Sequence, residues 1–232
     1  GWAMTETGSA GSINADSEPR HVGMRCFGRS RPELDIRIVD EHGADVADGE
    51  SGELWVRRSG PDPSRGFFSG YLKDPQATAA GWAGGYWHTG DCVRRGPDGS
   101  LFFVDRLKNV IRRSGENIAA LEVETVLLRH PDIAQVAVAP AADELRGEEV
   151  LACIVARPEC ARTLDAAKAI ATWCRAEMAY YKAPGWIAFV DALPITATQK
   201  LQRGALRELA TRLLTEGRCF DLRGLKKRDA GV

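Results

Sequence analysis

The sequence lacks several features that would direct it to a membrane, to nucleic acid or to a zinc site. No apolar run approaches the roughly 18 residues that a membrane-spanning helix needs, so we expect no membrane span. The 31 lysines and arginines nearly balance the 32 acidic residues, which gives no basis for general binding to nucleic acid. The six cysteines are scattered without a CxxC pair. Such spacing is typical of free thiols in a reducing cytoplasm rather than of zinc ligands.

Local patterns divide the 232 residues into two parts with different secondary structure. Up to residue 104 the chain alternates short apolar strands with tight turns, as in ELWVR at residues 53–57 and GPDG at residues 96–99. Beyond residue 108, helical periodicity in residues 119–130 and 203–214 mixes with alternating strands. The pattern predicts an α+β fold, and it predicts that the many charges of residues 217–232 form a solvated basic tail.

Two short stretches combine residue types suited to a nucleotide. The first, TGD at residues 89–91, ends a predicted strand with a carboxylate exposed at a turn. The second, DRLKNVIRRSGENI at residues 105–118, collects basic residues and then supplies a glycine. Carboxylates bind sugar hydroxyls, cations bind phosphates, and glycine lets the backbone approach a ligand closely. The sequence therefore predicts nucleotide chemistry near the boundary between the two parts of the chain.

Taken together and in this order, these stretches resemble the core motifs of the AMP-forming acyl-CoA synthetases. This adenylate-forming superfamily includes luciferase and the adenylation domains of peptide synthetases. The resemblance extends over nearly the whole chain, and RRSGENI is most similar to bacterial carnitine/crotonobetaine-CoA ligases or medium-chain acyl-CoA ligases. It implies an acid–thiol ligase that activates a small-molecule carboxylate with ATP and Mg²⁺, releases AMP and forms a thioester with coenzyme A. Whether the protein forms a homodimer is left open.

The resemblance also implies how the chain is organised. Residues 1–104 correspond to the C-terminal portion of the large AMP-binding domain, which is mostly β and resembles a small barrel. Residues 105–108 correspond to a hinge, and residues 109–216 to the mobile C-terminal domain. The family's phosphate loop, which is rich in Ser, Thr and Gly, lies upstream of these regions and has no counterpart in this sequence. We therefore expect the chain to represent the C-terminal part of a longer enzyme.

The first residues, WAMTE, are similar to the family motif Tyr-Gly-x-Thr-Glu. The resemblance implies that Trp2 stacks on adenine, that Thr5 contacts the α-phosphate and that Glu6 holds Mg²⁺. A flat apolar ring, a hydroxyl donor and a hard oxygen ligand suit these three tasks. The sequence departs from the motif at Trp2 and at Ala3, where the family has a glycine bordering the acyl pocket. Ala3 is therefore expected to narrow that pocket.

Two further residues match the family's nucleotide contacts. Asp91 corresponds to the aspartate that accepts hydrogen bonds from both ribose hydroxyls, and Arg106 corresponds to a second ribose or phosphate contact. From the residues alone, Asp91 could equally be a turn carboxylate that caps its own backbone.

The remaining matches concern the second half of the reaction and the catalytic lysine. Lys108 corresponds to the hinge residue, whose role is conformational. The segment containing Ser114, Gly115 and Glu116 corresponds to the lining of the pantetheine tunnel, and Arg113 or its neighbour Arg112 is expected to meet the phosphates of CoA. Lys200 then corresponds to the lysine that bridges the substrate carboxylate and the α-phosphate during adenylation. Gln199 precedes it where the family has glycine.

Two other interpretations stay open at this stage. One keeps the adenylation reaction but transfers the acyl group to the phosphopantetheine of a carrier protein. Lys108 favours CoA, because carrier-loading domains generally have aspartate at the hinge. The other, which follows from the missing phosphate loop, is a non-catalytic fragment or interaction module. Binding of ATP to the chain would count against it.

Overall fold

The computed structural model describes residues 1–15 and 19–226, and it has an α+β fold that divides into two compact units. Unit 1 comprises Gly1–Lys108 and unit 2 comprises Asn109–Val232. Within the described ranges, no helix has both the length and the apolar character that a membrane crossing requires. All six cysteines belong to these ranges, and none of them forms a disulfide bond.

Unit 1 is built on one antiparallel sheet. Its elements are β1 (Cys26–Gly28), β2 (Leu34–Val39), β3 (Ser51–Arg58), α1 (Pro75–Gly81), β4 (Trp87–Arg95) and β5 (Leu101–Arg106). The strand order is β1-β5-β4-β3-β2. The predicted barrel-like shape is therefore wrong in one respect, because β1 and β2 are the two edges of an open sheet in the described chain. Closing the sheet into a barrel would require a staggered ladder of hydrogen bonds between its two edge strands. One of these edges, β1, has only three residues.

Alternation along the strands places an apolar layer on one face of this sheet. In β3, Leu54 and Val56 are fully buried, whereas Trp55 and Arg57 lie on the opposite face and are half-buried. The buried residues pack with Trp87 and with the N-terminal residues of the chain. Since side chains alternate along a strand, this packing fixes the register that aligns β4 with β5.

Unit 2 is a mixed sheet with helices on both faces. Its elements are β6 (Val110–Arg113), β7 (Glu116–Ala119), α2 (Ala120–Leu127), β8 (Ile133–Asp143), β9 (Gly147–Ala156), α3 (Leu164–Glu177), β10 (Trp186–Phe189), α4 (Arg203–Thr215) and β11 (Phe220–Asp221). Strand β9 is central: it pairs antiparallel with β8 and β6 and parallel with β10. Leu127 of α2 and Ile170 of α3 pack with Ile154 of β9, whereas Leu206 of α4 packs with Leu151 on the other face.

The residues from 217 onward differ from the predicted solvated tail as far as they are described. Strand β11 pairs with β10, Leu222 is buried, and Lys226 is only 4% exposed. The reason is that the Lys226 ammonium group forms an ion pair with the buried carboxylate of Glu149. Residues 227–232, the rest of the predicted tail, lie outside the described residues.

Candidate functional site

Asp91 was expected at an exposed turn, but it lies inside strand β4 and is 2% exposed. The strand continues through the TGD stretch because the pairing of β3 with β4 shifts between Glu53 and Trp55, which is a β-bulge. Gly90 adopts a φ of +66° in this bulge. Its N–H donates to Glu53 Oε1 at 2.9 Å. The bulge therefore keeps the carboxylate of Asp91 buried inside unit 1.

Three of the predicted nucleotide residues meet at this carboxylate. The indole Nε1–H of Trp2 donates to Asp91 Oδ2 at 2.7 Å, and Arg106 Nε lies 3.0 Å from Oδ1. The register of the sheet explains the second contact, because Asp91 and Arg106 are directly opposite on β4 and β5. Opposite charges at facing positions of neighbouring strands attract each other.

One oxygen of this carboxylate has unused hydrogen-bonding capacity. The Arg106 guanidinium is close to Oδ1 but poorly directed, so among the described residues no donor makes a hydrogen bond to that atom. Burial raises the pKa of Asp91 above its ordinary value, while the hydrogen bond from Trp2 and the charge of Arg106 oppose this shift. The Arg106 side chain is 48% exposed. Because Oδ1 itself is buried, a ligand hydroxyl would reach it only after the half-exposed Arg106 side chain moved aside.

The placement of Trp2 does not fit its predicted stacking on adenine. The residue is 7% exposed, its ring packs 6.3 Å from that of Phe27, and its backbone forms a bridge with Ile13. A ring enclosed in this way has no open face for a base. In the structure the indole N–H of Trp2 instead donates a hydrogen bond to Asp91 Oδ2 and fixes the position of that oxygen.

Thr5 and Glu6 lie on the turn that follows Trp2. Thr5 is exposed, and Glu6 is half-buried. The phenol of Tyr71 donates to Glu6 Oε1 at 2.8 Å, and this hydrogen bond raises the pKa of Tyr71. The backbone N–H of Phe68 donates to the Glu6 carbonyl at 2.8 Å. A carboxylate oriented by a neutral donor fits the single hard oxygen ligand that Mg²⁺ sites draw from proteins.

Lys108 is exposed in the short 3₁₀ turn Leu107–Asn109, which connects β5 with β6. It is also the last residue of unit 1. The predicted hinge residue thus stands at the point where one compact unit gives way to the next.

Ser114 and Gly115 form a two-residue hairpin turn between β6 and β7. Both have positive φ, +51° and +85°, which is the pattern of a type I′ turn. The Ser114 N–H donates to the Arg146 carbonyl at 2.9 Å. Glu116 pairs with Arg113 at the base of the turn, and the side chains of residues 114–116 are exposed. Gly115 is therefore required by the turn itself, and its open surroundings leave room for a ligand.

Arg113 does not fit its predicted contact with CoA. It is 3% exposed, and its Nε lies 2.8 Å from Glu149 Oε2. Lys226 pairs with the other oxygen of Glu149, which also accepts from the Val150 N–H at 2.8 Å. Burial lowers the pKa of Lys226 to about 8. Arg112, in contrast, is exposed, so it suits the phosphate contact better.

Lys200 is exposed at the end of a tight hairpin in unit 2. The backbone N–H of Thr196 donates to the Lys200 carbonyl at 2.8 Å, and Ile195 bridges to Leu201. Gln199, immediately before the lysine, has a φ of +62°. Only glycine adopts this left-handed conformation without strain, which gives a physical reason for the glycine that the resembled family has here.

We expect Gln199→Gly to stabilise unit 2 slightly, by about 0.5–1 kcal/mol. The variant removes about 1–2 kcal/mol of left-handed strain but increases the entropy of the unfolded chain by up to about 1 kcal/mol. Ala197→Gly is a matched control, because Ala197 lies in the same turn without a positive φ and should lose stability. Peptide-resolved hydrogen exchange measures both effects, and an equal loss in the two variants would contradict the strain argument.

Sequence reasoning missed two residues that support this site. Glu53 accepts from the N–H groups of Gly90 and of the Trp55 indole, and Tyr71 orients Glu6. Both belong to segments, GEL and GYL, that looked purely structural. No local pattern signals the contacts of Tyr71 with Glu6 or of Glu53 with Gly90, because the partners lie 65 and 37 residues apart.

Comparison with known proteins identifies matches in both units. Residues 1–72 match the model of the AMP-binding enzyme family, and residues 122–200 match that of the AMP-binding enzyme C-terminal domain. Together these ranges make up more than half of the chain, and Lys200 is the last residue matched.

One curated relative is the indoleacetate–CoA ligase of Aromatoleum aromaticum, which is 39% identical over 185 residues, covering 80% of this chain and 34% of that protein. Among solved structures, the anthranilate CoA ligase AuaEII in complex with anthranoyl-AMP is 29% identical with a TM-score of 0.65, over 81% of this chain and 35% of that one.

A second similar structure is the amide bond synthetase McbA from Marinactinospora thermotolerans. It is 30% identical with a TM-score of 0.62, over 81% of this chain and 37% of that one. The chain thus spans about a third of the length of these relatives. With matches to both family models and to CoA ligases over four-fifths of its length, this chain belongs to the AMP-binding enzymes, the superfamily of AMP-forming acyl-CoA synthetases.

Proposed function

We propose that this chain acts within an ATP-dependent, AMP-forming carboxylate–CoA ligase. The reaction has two halves. The carboxylate first attacks the α-phosphorus of ATP, giving an acyl-adenylate and pyrophosphate. The thiol of CoA then attacks the acyl carbon, giving a thioester and releasing AMP. The named activities of the relatives, indoleacetate–CoA ligase and anthranilate CoA ligase, support this reaction class.

The observation that carries the proposal is Oδ1 of Asp91, which accepts no hydrogen bond from the described residues although the half-exposed Arg106 guanidinium lies 3.0 Å away. A buried acceptor without a donor is costly, at about 1–3 kcal/mol, so a ligand that supplies a hydroxyl there is favoured. The neighbouring cation suits the phosphate of the same ligand. A ribose hydroxyl beside a phosphate, as in AMP, meets both requirements.

Charge stabilisation explains the other proposed roles in the first half-reaction. Negative charge accumulates on the phosphate oxygens when the carboxylate attacks. Lys200 supplies a mobile cation on an exposed turn, and Thr5 supplies an exposed hydroxyl donor. Glu6, oriented by Tyr71, would hold Mg²⁺. The metal, when bound, would neutralise part of the phosphate charge.

In the second half-reaction, the hinge and the 114–116 turn would each have a role. We take Lys108 as the pivot that lets either Lys200 or the 114–116 turn face the nucleotide. Ser114, Gly115 and Glu116 would line the path of the pantetheine arm, and exposed Arg112 would meet CoA phosphates. The lack of disulfide bonds among the six cysteines supports a reducing compartment such as the cytoplasm.

The first test uses the indole N–H resonance of Trp2 as a probe of Asp91. AMP added to the ¹⁵N-labelled chain is expected to shift this resonance, because the indole shares the carboxylate with the ligand. AMP that lacks both ribose hydroxyls should bind at least about tenfold more weakly, since hydrogen bonds to a charged group contribute about 1.5–3 kcal/mol.

Two controls sharpen this experiment. Asp91→Asn should abolish the preference for AMP over the dideoxy analogue. Asp98→Asn, which changes a carboxylate on the 96–99 turn, should leave it intact. Equal binding of AMP and the dideoxy analogue by the unmodified chain would refute the assignment of Asp91.

The acceptor needs a separate assay. A chimera in which this chain replaces the corresponding third of the indoleacetate–CoA ligase can be offered CoA, a phosphopantetheinylated carrier protein or a primary amine. We expect thioester formation with CoA. Transfer only to the carrier, or only to the amine as the name of the amide bond synthetase suggests, would replace the CoA proposal. Acyl-adenylate formation without any transfer would also reject it.

A further inference from the structure

The 114–116 turn is held from outside by the loop that connects β8 with β9. Besides the bond from Ser114 N–H to the Arg146 carbonyl, the Arg112 N–H donates to Glu148 Oε2 at 2.7 Å. Arg113 also pairs with Gly147 across β6 and β9. The position of the turn therefore depends on the conformation of residues 143–147.

That loop is in turn fixed by Arg223. Asp143 Oδ1 accepts from the N–H groups of Leu145 and Arg146 at 3.1 and 3.0 Å, and its Oδ2 accepts from Arg223 Nη1 at 2.9 Å. The Asp143 side chain is 4% exposed. The same guanidinium is bound by Asp221 at 2.7 Å and lies 4.4 Å over the ring of Trp186. Asp143, Asp221 and Trp186 thus hold the Arg223 guanidinium between them.

A second connection runs through the interior of unit 2. Lys226 pairs with Glu149, and Glu149 pairs with Arg113, the residue immediately before Ser114. All three side chains are at most 3% exposed. Gly185 makes room for this cluster, because a Cβ there would lie 2.5 Å from Glu149 Cδ. Residues 220–226, which we name the closing segment, thus reach the 114–116 turn by two independent routes.

We propose that the closing segment positions the 114–116 turn for the pantetheine thiol, with Arg223 and Lys226 as positioning residues. This inference rests on the proposed function, because the turn that the closing segment holds is the one proposed to line the path of the CoA thiol. A two-residue turn with both φ values positive has no side-chain packing of its own. Its precision must come from the elements that hold its backbone.

The structural test uses the whole chain and the variant Arg223→Gln. Loss of the charged contact releases Asp143 and the loop. We expect hydrogen exchange at the Ser114 amide to become about tenfold faster or more. This factor corresponds to the loss of the charged hydrogen bond between Arg223 and Asp143. The amide of Ile154 in β9 should not change. Arg218→Gln is the matched control, because Arg218 is exposed and pairs only loosely with Glu216 at 3.4 Å.

A complementary variant separates positioning from general destabilisation. In Arg223→Gln combined with Asp143→Asn, two neutral amides can hydrogen-bond to each other, and protection of Ser114 should partly return. Unchanged exchange at Ser114 in Arg223→Gln, or equal acceleration at Ile154, would overturn the proposal.

The functional test uses the chimera described above. Arg223→Gln should raise the KM for CoA several-fold while the rate of pyrophosphate release stays the same, and the double variant should recover part of the loss. An equal fall in both half-reactions would refute positioning. If the parent chimera forms adenylate but no thioester, the proposed function fails at its second half, whereas the exchange experiment still decides whether the closing segment holds the turn.

Discussion

Replacing Lys200 with alanine is expected to lower the rate of adenylation by about 10²–10³-fold, the usual cost of removing a preorganised charge-stabilising group. Thioester formation from a supplied acyl-adenylate should stay unchanged. The two halves separate because substitution at phosphorus takes place only in the first, whereas the second takes place at the acyl carbon. The structure favours a local effect, since Lys200 is exposed on a turn closed by backbone hydrogen bonds that alanine preserves.

The measurement compares pyrophosphate release with conversion of a synthetic acyl-adenylate to thioester in the chimera. Lys168→Ala is the control, because Lys168 is a half-exposed lysine of unit 2 that lies 4.0 Å from the exposed carboxylate of Asp165. It should leave both rates unchanged. Equal loss of both half-reactions in Lys200→Ala would show that the lysine does not act on phosphate charge.

Replacing Glu149 with leucine is expected to destabilise unit 2 by about 3–5 kcal/mol. The carboxylate is fully buried between the Arg113 guanidinium and the Lys226 ammonium group. Its removal leaves the Arg113 guanidinium without a counter-charge and the Lys226 amine without its partner in the interior. Because whole domains are stable by only about 5–15 kcal/mol, this loss should be visible as a large increase in hydrogen exchange across unit 2.

A compensated variant makes this prediction specific. Arg113→Met and Lys226→Met added to Glu149→Leu remove the unpaired charges, and apolar replacement of a whole buried ion cluster is often neutral or stabilising. Most of the lost protection should therefore return. Glu208→Leu, at an exposed position of α4, should have little effect. No recovery in the triple variant would mean that shape rather than charge dominates at Glu149.

Much of the fold could be predicted because strong periodicity survives in the longer elements. The pattern correctly indicated β3, α2 and α4 to within a few residues. It missed β1, β6, β7 and β11, which have four residues or fewer, too short to display an alternation. The closing segment was misjudged for another reason. Its charges predict exposure, but the partner of Lys226 is 77 residues away.

The candidate site shows the same division. Asp91 and Arg106 were both predicted to contact the nucleotide, and the structure brings their side chains together. The contact with a nucleotide stays a prediction. The sequence did not indicate which of the predicted site residues are buried. Trp2 and Arg113 are residue types suited to a base and a phosphate, yet both are enclosed by contacts with distant residues. Residue type predicts chemistry, whereas access depends on tertiary packing.

The strand order of unit 1 has a consequence for how Asp91 is assembled during folding. Strands β2 to β5 are neighbours in the chain and in the sheet, whereas β1 pairs with β5 across the whole of that meander. Closing a longer loop costs more entropy, so we expect β1 and the N-terminal residues to join last. Trp2 and Asp91 are separated by 89 residues. The carboxylate and its arginine would therefore be in place first, and the indole would seal an ion pair that already exists.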